Sequence, residues 1–193
     1  MVCIFIGGKM LQTKEKDVQK TEFRFLDHHN HYSDQKIRRI LRDVKTFALV
    51  GASTVWRRPS YYAMTYLQHK GFKIIPINPA RAGDTVLGEK VYGSLADVPH
   101  QLDMVDIFRT SEEALEITKD VIKNKDNKGI KYLWMQLTVR NDIAAELAEE
   151  AGLEVIMDRC PKIEFGRLSG ELSWLGVNSG IISAKSLKSP KHD

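Results

Sequence analysis

Thr46-Phe47-Ala48-Leu49-Val50-Gly51-Ala52-Ser53 is the stretch that decides the fold of this chain. It opens with a short, nearly unbroken apolar run closed by a glycine, which reads as a strand covered on both faces. Small residues follow, then Thr54-Val55-Trp56-Arg57-Arg58 and Pro59. Proline suits the first turn of a helix, where no N–H is needed. A helix is therefore expected from Pro59, carrying Tyr62, Tyr66 and Leu67 and stopping before Gly71. Strand, small-residue turn and helix together make the first half of a βαβ unit.

The same pattern recurs on both sides. Ser33 is a candidate N-cap, and Ile37, Ile40, Leu41 and Val44 form the stripe of an amphipathic helix. A second strand, Lys73 to Ile77, is broken by Asn78-Pro79. A long connection follows, with one turn of helix expected at Ser94 to Val98. The third strand is expected at Met104 to Phe108, and Thr110 with Glu113 matches a capping box for a helix to about Lys125. Tyr132 to Met135 and Glu154 to Met157 supply the last two strands, around a helix capped by Asn141 and closed by Gly152. Short apolar strands alternating with amphipathic helices predict an α/β fold with a doubly wound, parallel, five-stranded sheet of Rossmann-like form. The domain is expected over residues 33–183, after a loose extension at 1–32 and before a basic tail at 184–193. The Gly- and Ser-rich stretch from Gly166 onward reads as an irregular wrap.

Composition bounds the function. The 193 residues are 42% hydrophobic and 28% charged, an ordinary balance for one globular domain. The two cysteines, Cys3 and Cys160, cannot form a disulfide framework or a thiolate cluster, and a reducing, cytoplasmic setting is the natural expectation. A net charge of +4 with scattered pairs such as Arg38-Arg39 and Arg57-Arg58 suits a small anionic ligand better than a nucleic acid. No apolar run approaches the ~20 residues of a membrane span. Val2 to Ile6 is too short for a signal sequence.

In such a sheet, ligands sit outside the carboxyl ends of the strands. The loops to inspect begin at Gly51, Asn78, Arg109, Gln136 and Asp158. In the first loop, Gly51, Ala52 and Ser53 allow close approach of backbone N–H groups to a phosphate. Thr54 and Ser60 add hydroxyls, and Arg57 and Arg58 add guanidinium groups able to grip phosphate oxygens. A phosphate-bearing nucleotide is the ligand class implied. The G-x-G-x-x-G fingerprint and the acidic residue at the end of the second strand are both missing, which argues against nicotinamide hydride transfer. No Walker loop and no G-x-S-x-G motif occurs. His28, His29 and His31 form the densest histidine cluster, but it precedes the first expected helix and lacks companion cysteines. It therefore reads as a solvated segment, and no metal site is expected. Cys160, in Met157-Asp158-Arg159-Cys160-Pro161, has an arginine beside it able to lower its pKa. A small buried thiol is the favoured reading. Asp106, inside a strand, reads as a structural group.

Seven segments in order carry a resemblance. They are Val50-Gly51-Ala52-Ser53, Arg58-Pro59-Ser60-Tyr61, Ile75-Pro76-Ile77-Asn78-Pro79, Gly88-Glu89-Lys90-Val91-Tyr92, Val105-Asp106-Ile107-Phe108-Arg109, Leu133-Trp134-Met135-Gln136 and Met157-Asp158-Arg159-Cys160-Pro161. The chain resembles the small stand-alone CoA-binding proteins related to the N-terminal domain of the succinyl-CoA synthetase alpha subunit. The resemblance implies coenzyme A or an acyl-CoA as ligand. Set on the loops above, it places Gly51, Ala52, Ser53, Arg58 and Ser60 at the phosphates. Pro76, Asn78 and Pro79 fall on the adenosine side, Phe108 and Arg109 along the pantetheine, and Gln136 near the thiol. Arg57 stands in a segment expected to vary. These residues hold no counterpart of the synthetase's phosphohistidine domain or of an ATP-grasp partner, so binding without independent catalysis is expected. The alternative is an enzyme acting on a CoA thioester or thiol with Cys160 as the reactive group.

Overall fold

The computed structural model describes residues 25–170. The expected tail at 184–193, the rest of the wrap and the first 24 residues of the extension lie outside the described residues.

Helix α1, Asp34–Asp43, begins where Ser33 Oγ accepts a hydrogen bond from Lys36 N–H. Strand β1, Thr46–Val50, follows, then α2, Pro59–His69, with its proline in the first turn. β2 is Lys73–Ile77. The long connection contains a 3₁₀ turn, Pro79–Arg81, and a small antiparallel hairpin of β3, Thr85–Val86, and β4, Glu89–Lys90. Two-residue strands leave no periodicity to read, so this hairpin was not expected. Ser94 to Val98 forms turns and no helix. β5 is Met104–Ile107, one residue shorter than expected, and α3 runs Ser111–Lys128. The Thr110–Glu113 capping box is formed in both directions. β6, Tyr132–Met135, leads to α4, Asp142–Glu150, capped by the Asn141 side chain, and to β7, Glu154–Ile156.

The parallel sheet has the order β2-β1-β5-β6-β7. Side chains alternate between its faces, as strand geometry requires. Phe47, Leu49, Ile74, Met104 and Trp134 pack with residues of α1 and α2 on one side. Ala48, Ile75, Val105, Leu133 and Val155 pack with α3 and α4 on the other. β5 and β6 are buried throughout, which explains their unbroken apolar character. No described helix is long and apolar enough to cross a membrane.

Two boundaries differ from expectation. A further helix, α5, spans Pro161–Leu168 and includes Gly166, where an irregular wrap was expected to begin. Pro161 gives the same helix-start signal as Pro59. The glycine meets a packing need: a Cβ there would lie 3.1 Å from the Tyr66 hydroxyl. At the other end, the expected loose extension is docked from Phe25 to Tyr32. Leu26 N–H donates to Asp142 Oδ1 at 2.9 Å, and Met157 N–H donates to the Tyr32 hydroxyl at 2.8 Å. Arg140 donates to Leu26 O at 3.0 Å, to Asn30 Oδ1 at 2.8 Å and to both oxygens of Asp142. His29 is buried in this segment at 2% exposure, so the histidine cluster is only partly solvated. The segment is too short for a hydrophobic period, and its anchors are single polar atoms.

Arg140 is the clamp, and Asp142 is buried beneath it. Arg140→Ala leaves that carboxylate without its cation and should cost about 3 kcal/mol. For a chain of this length the melting temperature should drop by roughly 6–12 °C in calorimetry, with earlier proteolysis near residues 25–32.

Candidate functional site

The chain leaves β1 for β2 on one side of the sheet and later crosses to β5 on the other. The carboxyl ends of β1 and β5 therefore flank a topological switch point, where a crevice opens. Gly51 sits there with φ +91°. A Cβ at this position would lie 2.5 Å from Phe108 O and 2.8 Å from Arg109 Cδ. Only glycine lets the turn after β1 lie directly on the turn after β5.

The hydrogen bonds of this turn correct one expectation. Gly51 N–H and Ala52 N–H both donate to Ile77 O, at 2.9 and 3.2 Å, so neither is offered to a ligand. The chain continues past the end of β1 alongside β2 and spends these donors on the last carbonyl of that strand. Ser53 N–H donates to Ser60 Oγ at 3.1 Å, and Val55 N–H to Ser53 Oγ at 3.1 Å. Among the described residues, the N–H groups of Thr54, Trp56, Arg57 and Ser60 make no protein hydrogen bond. These donors gather at the start of α2, where the helix dipole favours an anion. Arg57 and Arg58 are exposed beside them and have no ion-pair partner among the described residues. The anion-attracting feature is thus present, shifted from Gly51 and Ala52 to the mouth of α2.

Two cavities lie at the carboxyl edge of the sheet, and the second takes Arg57 and Pro59 from this segment. One, of about 610 Å³, is lined by Gly51, Asn78, Pro79, Arg109 and the Glu112–Glu116 face of α3. The other, of about 580 Å³, is lined by Arg57, Phe108, Arg109 and Gln136, with apolar walls from Tyr62, Leu137 and Ile163. Cys160 lines the second cavity as well. Arg109 borders both, and its guanidinium is held by the Glu113 carboxylate one helical turn on. A wider depression of about 850 Å³ lies along the polar face of α1, lined by Lys36, Arg38 and Arg42, away from the carboxyl ends of the strands.

Of the expected site residues, Gly51, Asn78, Pro79 and Arg109 share the first cavity, and Phe108, Arg109 and Gln136 share the second. Asn78 also holds the loop together, donating from Nδ2 to Ala52 O at 2.7 Å and accepting from Ala80 N–H. Ala52 and Ser60 are buried, and Ser53 is half-buried. Pro76 is buried inside β2 and lines neither cavity. Arg57, the less expected of the two arginines, lines the second cavity, and Arg58 forms the N-cap position of α2. The apolar walls from Tyr62, Leu137 and Ile163 were missed, since each alone reads as an ordinary surface residue. Large hydrophobics exposed by 47%, 47% and 48% around one opening are the structural signal.

At the floor, Gln136 Nε2 donates to both oxygens of Asp106 at 3.0 Å. Asp106 is fully buried, and loss of solvation pushes its pKa up to about 8. It is a structural group, as expected. Burial also raises the Cys160 thiol, and Arg159 does not counter it: that guanidinium lies over the Tyr32 ring and donates to Asp158 O. The expected lowering of the Cys160 pKa by Arg159 is therefore absent.

The domain is similar to known proteins. Residues 45–166 match the family model described as a CoA binding domain. The uncharacterized protein YneT of Bacillus subtilis is 32% identical over 131 residues, covering 68% of this chain and 93% of that protein. Acetate–CoA ligase [ADP-forming] II of Archaeoglobus fulgidus is 34% identical over 96 residues, which cover 47% of this chain and 13% of the ligase. A hypothetical protein from Pyrococcus horikoshii OT3 superposes with a TM-score of 0.67 at 37% identity, covering 73% of this chain and 95% of that one. A protein from Thermus thermophilus does so with a TM-score of 0.66 at 31% identity, covering 71% and 99%.

Two substitutions test this site. Gly51→Ala combines an unfavourable φ with a steric overlap on backbone, and should cost roughly 2–4 kcal/mol in denaturant unfolding. Asp106 predicts a pH signature. Its folded pKa of about 8 lies above the reference 3.8, so the folded state holds the extra proton and stability falls as pH rises between them. His29, lowered to about 4 from 6.5, acts in the opposite sense below pH 6.5. The net decline should therefore appear between pH 6.5 and 8, at up to about 1.4 kcal/mol per pH unit. Asp106→Asn should abolish it in unfolding curves measured across that range.

Proposed function

We propose that this chain, which belongs to the CoA-binding domain family, binds coenzyme A or an acyl-CoA at the carboxyl edge of its sheet and catalyses no reaction alone. One observation carries the reading: Arg109 borders both cavities, and the second is also walled by Arg57 and Pro59 from the start of α2, where open amides and two arginines without ion-pair partners among the described residues stand. Coenzyme A is an elongated molecule with a nucleotide at one end, a pyrophosphate between and a thiol-bearing arm at the other. The junction suits the pyrophosphate, with Arg57, Arg58 and Arg109 supplying charge-assisted hydrogen bonds. The cavity beside Asn78 and Pro79 suits adenosine. Glu112, Glu113 and Glu116 along α3 offer acceptors to amino and hydroxyl groups, and the ribose 3′-phosphate of coenzyme A would face away from that wall. The apolar cavity ending at Gln136 and Cys160 suits the pantetheine arm and an attached acyl group.

The absence of independent catalysis rests on the groups at the end of that arm. Burial raises the pKa of the Cys160 thiol, which leaves little thiolate at neutral pH. Asp106 is held by Gln136 inside a strand, away from the cavity mouth.

Coenzyme A or acetyl-CoA at a hundredfold excess over its Kd should stabilise the protein by about 2.7 kcal/mol, a thermal shift of roughly 5–11 °C. ATP and NAD at equal concentration should shift it less. The Arg57→Ala/Arg58→Ala double variant should fold normally and bind about 10–100-fold more weakly in calorimetry. No shift at millimolar coenzyme A would overturn the reading, and thioester turnover lost in Cys160→Ser would overturn its non-catalytic part.

A further inference from the structure

We propose that His28, His29 and Glu149 form a binding site for one divalent transition-metal ion of the zinc type, fastening the N-terminal segment to α4. The three side chains bring two imidazole nitrogens and a carboxylate together, a donor set that zinc accepts. One ligand atom from each lies within 4.8 Å of the others. His28 Nε2 is 3.0 and 3.1 Å from the two Glu149 oxygens, and His29 Nε2 is 3.3 Å from Glu149 Oε1. Ligand atoms around a tetrahedral ion with bonds of about 2.0–2.1 Å stand about 3.3 Å apart. The cluster therefore has nearly the right size to hold an ion.

A second observation points the same way. The His29 side chain has no solvent exposure, and its Nε2 makes no hydrogen bond; it is the one such buried side-chain atom among the described residues. An orphaned polar atom in the interior costs about 1–3 kcal/mol and calls for a partner. Glu149 Oε1 is near but out of line for a hydrogen bond. An ion between the three groups would supply the partner.

The surroundings are prepared for this. His29 Nδ1 lies 2.7 Å from the Tyr32 hydroxyl, which Met157 N–H fixes in turn. With Nδ1–H donated to Tyr32, the Nε2 lone pair faces His28 and Glu149, the outer-partner arrangement that orients metal-binding histidines. His28 is 53% exposed on its side chain, so the cluster opens to solvent there and leaves room for a water ligand. The site lies on the docked segment and α4, and neither cavity at the strand ends includes its residues.

The test uses the full chain, stripped with chelator and titrated with Zn²⁺ in thermal unfolding and with Co²⁺ in visible absorption. One equivalent should saturate both signals, raise the melting temperature and give the intense visible bands of four-coordinate Co²⁺. His28→Ala removes an exposed side chain and should leave the metal-free melting temperature nearly unchanged. It should lose the metal-dependent rise and weaken Co²⁺ binding by more than the about 10–100-fold typical of an outer partner. Glu149→Gln should behave alike. Absence of saturable binding below millimolar metal, or a wild-type shift retained in His28→Ala, would overturn the proposal.

Discussion

The contact between the Gly51 backbone and the Phe108 carbonyl is the constraint from which the site is built. With a Cβ position only 2.5 Å from that oxygen, two turns on adjacent strands lie against each other with no side chain between. The chain then has to leave the end of β1 sideways, over β2, and its first two amides bond to Ile77 O. Asn78 locks the detour by donating to Ala52 O. The backbone amides left open are displaced one step along the chain, to the residues entering α2. The fold thus places a helix terminus, and the arginines just before it, over the gap between β1 and β5.

What was legible in the amino-acid order follows the strength of each local signal. The five parallel strands and four of the five helices could be read because each combines an apolar pattern with a cap or breaker. Ser33, Thr110 with Glu113, and Asn141 all cap as expected. α5 carried only Pro161 as a signal, followed by a glycine that conceals a close approach to Tyr66. The β3–β4 hairpin and the docking of Leu26 to Tyr32 were out of reach for a different reason. The hairpin's strands are two residues long and show no period, and the docked segment rests on long-range polar contacts, such as Leu26 N–H to Asp142 and Met157 N–H to Tyr32, which leave no local trace.

The site shows the same division. The loops at Gly51, Asn78, Arg109 and Gln136 could be named because topology alone sends ligands to the carboxyl ends of parallel strands. Which atoms in those loops are open could not be named. That depends on internal hydrogen bonds, and two of the expected donors are consumed by Ile77. Pro76 failed for a related reason: a residue next to a loop in sequence belongs to the strand interior when the strand continues past it. Tyr62, Leu137 and Ile163 come from three different elements and form a wall only after folding.

The distribution of charge around the crevice bears on the proposal of an anion-binding site without chemistry of its own. Positive groups stand at its mouth: Arg57 and Arg58 lack ion-pair partners among the described residues, while Arg109 is tethered by Glu113 without being buried. The ionisable groups at its floor are pushed toward their neutral forms, Asp106 and Cys160 both by loss of solvation. Desolvation favours the neutral forms of the Cys160 thiol and of Asp106, which is buried behind Gln136, while the arginines at the mouth are exposed. A floor of neutral acid and thiol also imposes no negative charge on the arriving end of a ligand. The same burial gradient that makes the sheet stable therefore sorts the crevice into a charged entrance and an uncharged interior, which suits holding a polyanion by its phosphates while its far end rests in an apolar cavity.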